Sequence, residues 1–189
     1  MTPYAKFAFV GGCLLVAIFM RHRNLKDWLW LVAGLGFTLW ADYFLVLRQE
    51  EFLGVAVFCF VHVCYIFRTV GFRVRIFSAF FAVWCIAFFI LQSVIVFAGI
   101  YAVLFAVNIY VNAKARRPRT NQILVMAGLI LFLLCDVNVL LMNLPQYVGT
   151  PVFFGRAYTF VWVFYLPSQI LLGISARDFK PRRCAKFQS

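Results

Sequence analysis

Long apolar runs, separated by short charged segments, make up most of the chain. Each run is close to the length of about 20 residues that a helix needs to cross the hydrocarbon core of a bilayer. The pattern therefore predicts an all-α fold, a polytopic bundle of about seven transmembrane helices. The predicted spans cover approximately residues 4–20, 28–47, 52–67, 76–91, 94–112, 121–143 and 152–176.

The charges of the connecting segments predict how this bundle is oriented. Basic residues fill alternate connections, namely RHRNLKD, RTVGFRVR, KARRPRT and the C-terminal tail. The intervening connections RQEE, LQS and NLPQYVG carry little or no positive charge. Because Lys and Arg are concentrated in cytoplasmic loops, the alternation places the N-terminus outside and the C-terminus in the cytoplasm. The net charge of +12 is then a topology signal, and no nucleic-acid partner is expected.

Composition agrees with a membrane protein and limits the number of domains. Hydrophobic residues make up 65% of the 189 residues and charged residues only 13%, so residues 1–189 are predicted to form a single integral membrane domain. The N-terminal MTPYAKFAFVGG lacks a basic n-region and is interpreted as a retained helix. The expected location is the plasma membrane of a prokaryote or the endoplasmic reticulum of a eukaryote. The six cysteines show no CxxC spacing, so no metal site or cofactor is expected.

Two carboxylates lie inside predicted spans. Asp42 belongs to WLWLVAGLGFTLWADYFLVL and Asp136 to ILVMAGLILFLLCDVNVLLM. A charged side chain near the bilayer centre costs about 2.5–3.5 kcal/mol on insertion scales, so such residues are rare and usually functional. Segments 33–47 and 127–141 can be superimposed with the two aspartates in register. We therefore expect both carboxylates at a similar depth, in the outer half of the membrane.

Further polar side chains interrupt the apolar runs, among them a stripe of Tyr101, Asn108 and Asn112 on the fifth span. Lys6 lies near the outer end of the first span, where it either snorkels to the interface or binds a carboxylate or phosphate. His62 and Tyr65 share one stripe of the third helix, and Tyr165 and Gln169 share a face of the last. Hydrogen bonds between helices account for many such residues, and ligand binding is the alternative.

Paired carboxyl groups suit acid–base chemistry. One can protonate a substrate while the other activates water, and glycosidases use this division of labour through transition states of oxocarbenium character. From spacing alone, three alternatives stay open: a hydrolase, a proton-coupled transporter, and a protein in which the aspartates only hold helices together.

The segment 34–68 resembles the YhhN-like lysoplasmalogenase family. The family signature reads approximately G-x-x-x-(S/A)-x-x-G-D-x-x-L followed by F-x-x-G-x-x-x-F-x-x-x-H-x-x-Y. The matching residues here are Gly34, Asp42, Leu45, Phe52, Gly54, Phe58, His62 and Tyr65. Later motifs of the family, G-x-x-x-F-x-x-S-D and Y-x-x-x-Q, are matched by Gly128, Phe132, Asp136, Tyr165 and Gln169. The departures from the pattern include Ala41 in place of Gly, Cys135 in place of Ser, and Phe52, which is offset by one position. The family also often has Lys-Pro in an early helix, whereas Lys6 is followed by Phe7 here.

The resemblance implies hydrolysis of the vinyl-ether bond of a lysoplasmalogen, which gives a fatty aldehyde and a glycerophospho-headgroup. It implies that Asp42 and Asp136 are the catalytic residues, without saying which is the acid. It also implies substrate-binding residues, which are His62, Tyr65, Tyr165, Gln169, Lys6 and Arg48, the last two for the phosphate. A lysophospholipid substrate, contact with membrane lipids and no metal ion are expected. A small proton-coupled transporter and a non-enzymatic lipid-binding protein remain the alternatives.

Overall fold

The computed structural model describes residues 3–20, 24–148 and 157–177, with side chains described within 4–20, 24–143 and 160–177. These residues form seven α-helices and no strand, so the predicted all-α fold is confirmed. The helices are α1 (Pro3–Phe19), α2 (Leu25–Asp42), α3 (Glu51–Val70), α4 (Val74–Ile86), α5 (Val94–Ala113), α6 (Arg119–Val148) and α7 (Ala157–Ile174).

Five helical segments are long and apolar enough to cross a membrane, which supports an integral membrane protein. They are Leu25–Arg48, Glu51–Val70, Val74–Leu91, Val94–Ala113 and Arg119–Asn143. The predicted first and last spans correspond to the shorter apolar helices Tyr4–Phe19 and Phe160–Ile174, and residues 152–156 lie outside the described part of the chain. The count of seven spans and the N-terminus-outside orientation therefore stay predictions.

Two of the helices end in the same unusual way. α2 continues as a π-helical segment, Tyr43–Arg48, and α4 as another, Ala87–Leu91. Each then stops at a glutamine in the left-handed region, Gln49 with φ 56° and Gln92 with φ 44°. The next helix starts almost at once in both cases. α2 and α3 then pack closely against each other as a hairpin, whereas α5 packs mainly against α3. π-helical segments occur often at functional sites, and the first of these directly follows Asp42.

A polar cluster joins the helices at one end of the bundle, which we call the basic end. The Arg68 guanidinium donates to both carboxylate oxygens of Asp27, at 2.8 and 2.9 Å, and to the Ser175 hydroxyl at 2.8 Å. Arg117, in the connection between α5 and α6, lies 3.9 Å from the same carboxylate. Burial and the neighbouring Arg68 lower the pKa of Arg117 to about 10, while Asp27 acts in the opposite direction. The start of α2 and the ends of α3 and α7 are thus joined through the Arg68 guanidinium.

α6 and α7 pack closely because Gly128 has no side chain. A Cβ at this position would lie 2.8 Å from Leu172 Cγ and 3.3 Å from the Leu172 backbone nitrogen. Gly128→Ala is therefore expected to lower the free energy of unfolding in detergent by about 1–3 kcal/mol, the usual cost of overpacking. Gly99→Ala is the matched control, because a Cβ at Gly99 meets nothing within 4 Å. Equal unfolding curves for the two variants would contradict this description of the α6–α7 contact.

Candidate functional site

Asp42 is buried where α2 meets α7. Its side chain is only 5% exposed, and it occupies the last regular turn of α2, immediately before the π-helical segment. The Tyr165 hydroxyl of α7 donates to Asp42 Oδ2 at 2.5 Å. Within α7, Ser168 donates to the Tyr165 carbonyl at 2.7 Å, next to Pro167. The phenol therefore fixes this carboxyl group from a helix that is distant in sequence.

Asp136 has an equivalent partner on another helix. The Tyr101 hydroxyl of α5 donates to Asp136 Oδ2 at 2.6 Å. Asp136 is partly exposed, unlike Asp42. Asp42 and Asp136 follow the first residues of α2 and α6 by the same number of positions, about 26 Å along each helix. The two carboxylates thus occupy equivalent positions along their helices, each with one tyrosine.

The two Asp–Tyr pairs lie within electrostatic reach of each other. Tyr165, which donates to Asp42, is also close enough to Asp136 for an electrostatic effect. Cys135, the neighbour of Asp136 in sequence, is likewise close enough to both carboxylates for such an effect. Phe132 packs against Tyr165 with a centroid separation of 5.8 Å. One apolar-walled region therefore brings together the two aspartates that the sequence singled out.

His62 lies behind the second pair. It is fully buried, with its ring 4.6 Å from that of Tyr101 and 4.4 Å from that of Phe105. Its Nδ1 lies 3.1 Å from Asn108 Nδ2, and its Nε2 has no hydrogen-bond partner among the described residues. The structure thus places His62 one aromatic ring away from Asp136.

Lys6 approaches the first pair through a tryptophan. Its side chain is 3% exposed, and its ammonium nitrogen lies 3.4 Å from the centre of the Trp162 ring. Trp162 packs edge-on against Tyr165, with ring centroids 5.7 Å apart. A cation over the face of an aromatic ring is stabilised by its quadrupole. Snorkelling would require the ammonium group to be exposed at a surface. In the structure this group is enclosed by protein.

The remaining predicted residues lie at different distances from the aspartates. Gln169 is fully buried one turn beyond Tyr165, and its Oε1 has no partner among the described residues. Tyr65 packs against Gly34 of α2, where a Cβ would lie 3.1 Å from its ring, and its hydroxyl is likewise without a described partner. Arg48 is exposed and pairs with Glu50 at 3.4 Å, so the structure does not bring its guanidinium to either carboxylate.

Tyr101 belongs to this site, although from sequence it is predicted only as part of a polar stripe, with no role beside the aspartates. It shares a helical stripe with Asn108 and Asn112, and such a stripe is usually explained by contacts between helices. Nothing in the local sequence of α5 connects Tyr101 with Asp136, which follows 35 residues later. The sequence signal for this contact is the polar stripe of α5, because its Tyr101 end falls at a similar predicted depth to Asp136.

The described residues contain no group of three or more His, Cys, Asp or Glu side chains that could hold a metal ion. Their chemistry is that of two carboxyl groups, two phenols and a histidine, enclosed by aromatic rings. Such a set can exchange protons and stabilise a developing positive charge.

Comparison with known proteins identifies the family. The family model described as the YhhN family matches residues 1–176, which extends the resemblance toward the N-terminus from the motifs around Asp42 and His62. No curated protein and no solved structure matches the chain. Since the matched region covers nearly the whole sequence, this protein belongs to the YhhN family.

Proposed function

We propose that this protein is an intramembrane hydrolase that cleaves the vinyl-ether bond of lysoplasmalogens. The observation that carries the proposal is that each of the two aspartates of the apolar bundle accepts a hydrogen bond from a tyrosine of another helix, Asp42 from Tyr165 and Asp136 from Tyr101. Membership of the YhhN family is consistent with it, because the sequence motifs resemble those of the lysoplasmalogenases. A lipid substrate also accounts for a site inside an apolar bundle.

The reaction needs one acid and one base. A protonated carboxyl group transfers its proton to the β-carbon of the vinyl ether, which leaves an oxocarbenium ion at the α-carbon. The second, ionised carboxylate stabilises that cation and takes a proton from the water that adds to it. The resulting hemiacetal then breaks into a fatty aldehyde and the glycerophospho alcohol. One water is consumed, and the proton released balances the proton donated.

The hydrogen bonds at each aspartate suit these steps. In both pairs the phenol donates to Oδ2, so we assign proton exchange with substrate or water to Oδ1. Each phenol also fixes the orientation of its carboxyl group before the substrate arrives, which lowers the reorganisation needed during the reaction.

Three of the buried polar atoms that have no described hydrogen-bond partner belong to predicted site residues, and we assign these three to substrate binding. These atoms are Nε2 of His62, the hydroxyl of Tyr65 and Oε1 of Gln169. Buried polar groups cost free energy unless they are hydrogen-bonded, so oxygens and hydroxyls of a bound lysolipid are suitable partners. Lys6 is connected with the first pair through Trp162, which packs against Tyr165, whereas Arg48 is exposed and pairs with Glu50. We therefore assign Lys6, rather than Arg48, to the phosphate.

The decisive assay is aldehyde release from lysoplasmenylethanolamine by the purified protein in lipid-supplemented detergent. We expect aldehyde and glycerophosphoethanolamine in equal amounts. The matched control substrate has a saturated ether in place of the vinyl ether. It should give no aldehyde, because it cannot form the oxocarbenium ion by protonation at carbon.

The same preparation separates the alternatives. A folded protein that releases no aldehyde would overturn the hydrolase. Proton-dependent uptake of the lysolipid into sealed vesicles would then favour a carrier. Binding of the lysolipid without uptake would favour a lipid-binding protein.

A further inference from the structure

A chain of side-chain hydrogen bonds connects His62 with the basic end of the bundle. Arg117 Nη2 donates to the Thr69 hydroxyl at 2.8 Å, and Thr69 donates to Asn112 Oδ1 at 2.9 Å. Asn112 Nδ2 donates to Asn108 Oδ1 at 2.6 Å, and Asn108 Nδ2 lies 3.1 Å from His62 Nδ1. The two asparagines and the histidine are buried. A polar path therefore runs through the apolar interior to a residue beside the candidate site.

The direction of these hydrogen bonds is fixed by a backbone carbonyl. Asn112 Nδ2 also donates to the main-chain oxygen of Asn108 at 2.9 Å. A carbonyl oxygen only accepts, so turning the Asn112 amide over would place two oxygens against each other. With Asn112 fixed, its N–H faces Asn108 Oδ1, and the Asn108 amide must direct its own N–H at His62. The two remaining hydrogen bonds agree with this direction. The Arg117 guanidinium can only donate, so the Thr69 hydroxyl oxygen accepts from it and the Thr69 O–H is donated to Asn112 Oδ1.

The protonation of His62 follows from that direction. Because Nδ1 receives an N–H from Asn108, it cannot carry a proton, and the imidazolium form, in which both nitrogens donate, is excluded. The ring proton must then be on Nε2. This nitrogen is buried and has no hydrogen-bond partner among the described residues. The described neighbours of the ring are aromatic, namely Tyr101, Phe105 and Phe132.

We propose that Asn112 and Asn108 are positioning residues that hold His62 as its neutral Nε2–H tautomer, so that it presents a fixed hydrogen-bond donor to an oxygen of the bound lysolipid. The tautomer is independent of the reaction catalysed, whereas the contact with a lysolipid rests on the proposed function. His62 takes no proton in this arrangement. Acid and base chemistry stay with the two aspartates, and the histidine orients the substrate.

The tautomer can be observed directly, because the chain contains only two histidines. In His22→Gln protein labelled with ¹⁵N-histidine, every remaining imidazole signal comes from His62. We expect the protonated nitrogen to couple to both ring carbon-bound protons, which identifies it as Nε2, and the unprotonated nitrogen to couple to one. Protonation on Nδ1, or on both nitrogens, would overturn the proposal without any activity measurement.

Variants along the chain test whether the asparagines set the tautomer. A carboxylate at position 108 or 112 only accepts hydrogen bonds. Asn108→Asp should therefore move the proton to Nδ1. Asn112→Asp should do the same without touching His62, by forcing the Asn108 amide to turn over. Asn138→Asp is the matched control. Asn138 is more exposed than Asn108 and Asn112, and its described hydrogen bond is to the Leu134 carbonyl of its own helix. An unchanged spectrum in folded Asn112→Asp protein would overturn the role of the chain.

A 1-O-alkyl-glycerophosphoethanolamine, in which a saturated ether replaces the vinyl ether, tests the contact with substrate, because it can bind without being cleaved. When this lipid is added to labelled His22→Gln protein, the chemical shift of the His62 Nε2–H signal should change. The same addition should cause no such change in the Asn108→Asp variant. No shift in the parent protein would overturn the substrate contact. A correct tautomer with a shift but no aldehyde release would instead reject the hydrolase while leaving the histidine assignment intact.

Discussion

Asp42→Asn and Asp136→Asn are each expected to reduce the rate of aldehyde release by at least about 100-fold, the lower end of the contribution of a positioned acid or base. An asparagine can neither donate a proton to the vinyl ether nor accept one from water. Its side-chain oxygen can still accept the hydrogen bond from Tyr165 or Tyr101. The helix contacts should therefore survive while the chemistry is lost. The measurement is single-turnover aldehyde release by wild type and both variants.

Stability measured on the same samples separates catalysis from helix association. If the aspartates only hold α2 against α7 and α5 against α6, unfolding in detergent should shift while the activity per folded molecule does not. Glu50→Gln is the matched control for the loss of a carboxylate, because Glu50 is exposed and pairs only with Arg48. Wild-type turnover by either folded Asp variant would remove that aspartate from the mechanism.

The sequence predicts the two carboxylates and their depth because both depend on one-dimensional information. An ionisable residue within an apolar run stands out by composition, and its distance from the helix start follows from the rise of the helix. The seven helical segments were predictable for the same reason, including the break between residues 91 and 94. The contribution of Tyr165 was anticipated as a substrate contact, whereas the structure shows it hydrogen-bonded to Asp42.

The partners of these carboxylates could not be predicted, because tertiary packing selects them. Asp42 meets a tyrosine 123 residues away and Asp136 one 35 residues away, each on a different helix. Several tyrosines in the chain could have filled either role. The π-helical segment after Asp42 is similarly a product of how α2 meets its neighbours. Arg48 is predicted to bind phosphate from its place at the span boundary, and packing decides that its side chain pairs with Glu50 at the surface.

Asp27→Asn is expected to lower the free energy of unfolding by about 3 kcal/mol, because it leaves a buried guanidinium without its counter-ion. The Arg68 side chain is 2% exposed and directs two of its nitrogens at Asp27. Arg117 lies on the same carboxylate, and its pKa is already lowered by burial and by Arg68. Without Asp27, two neighbouring positive charges remain in a poorly solvated region. Thermal and denaturant unfolding in detergent measure the loss.

A second substitution distinguishes an unpaired charge from the loss of packing. In the double variant Asp27→Leu with Arg68→Met, both charges of the pair are absent, and most of the lost stability should return. The coupling between the two positions, obtained from the four-protein cycle, gives the interaction free energy. Glu50→Gln, which breaks an exposed pair, should cost less than about 1 kcal/mol. An Asp27→Asn protein as stable as Glu50→Gln would show that Asp27 does not hold the basic end together, and the contacts between α2, α3 and α7 would then depend on apolar packing alone.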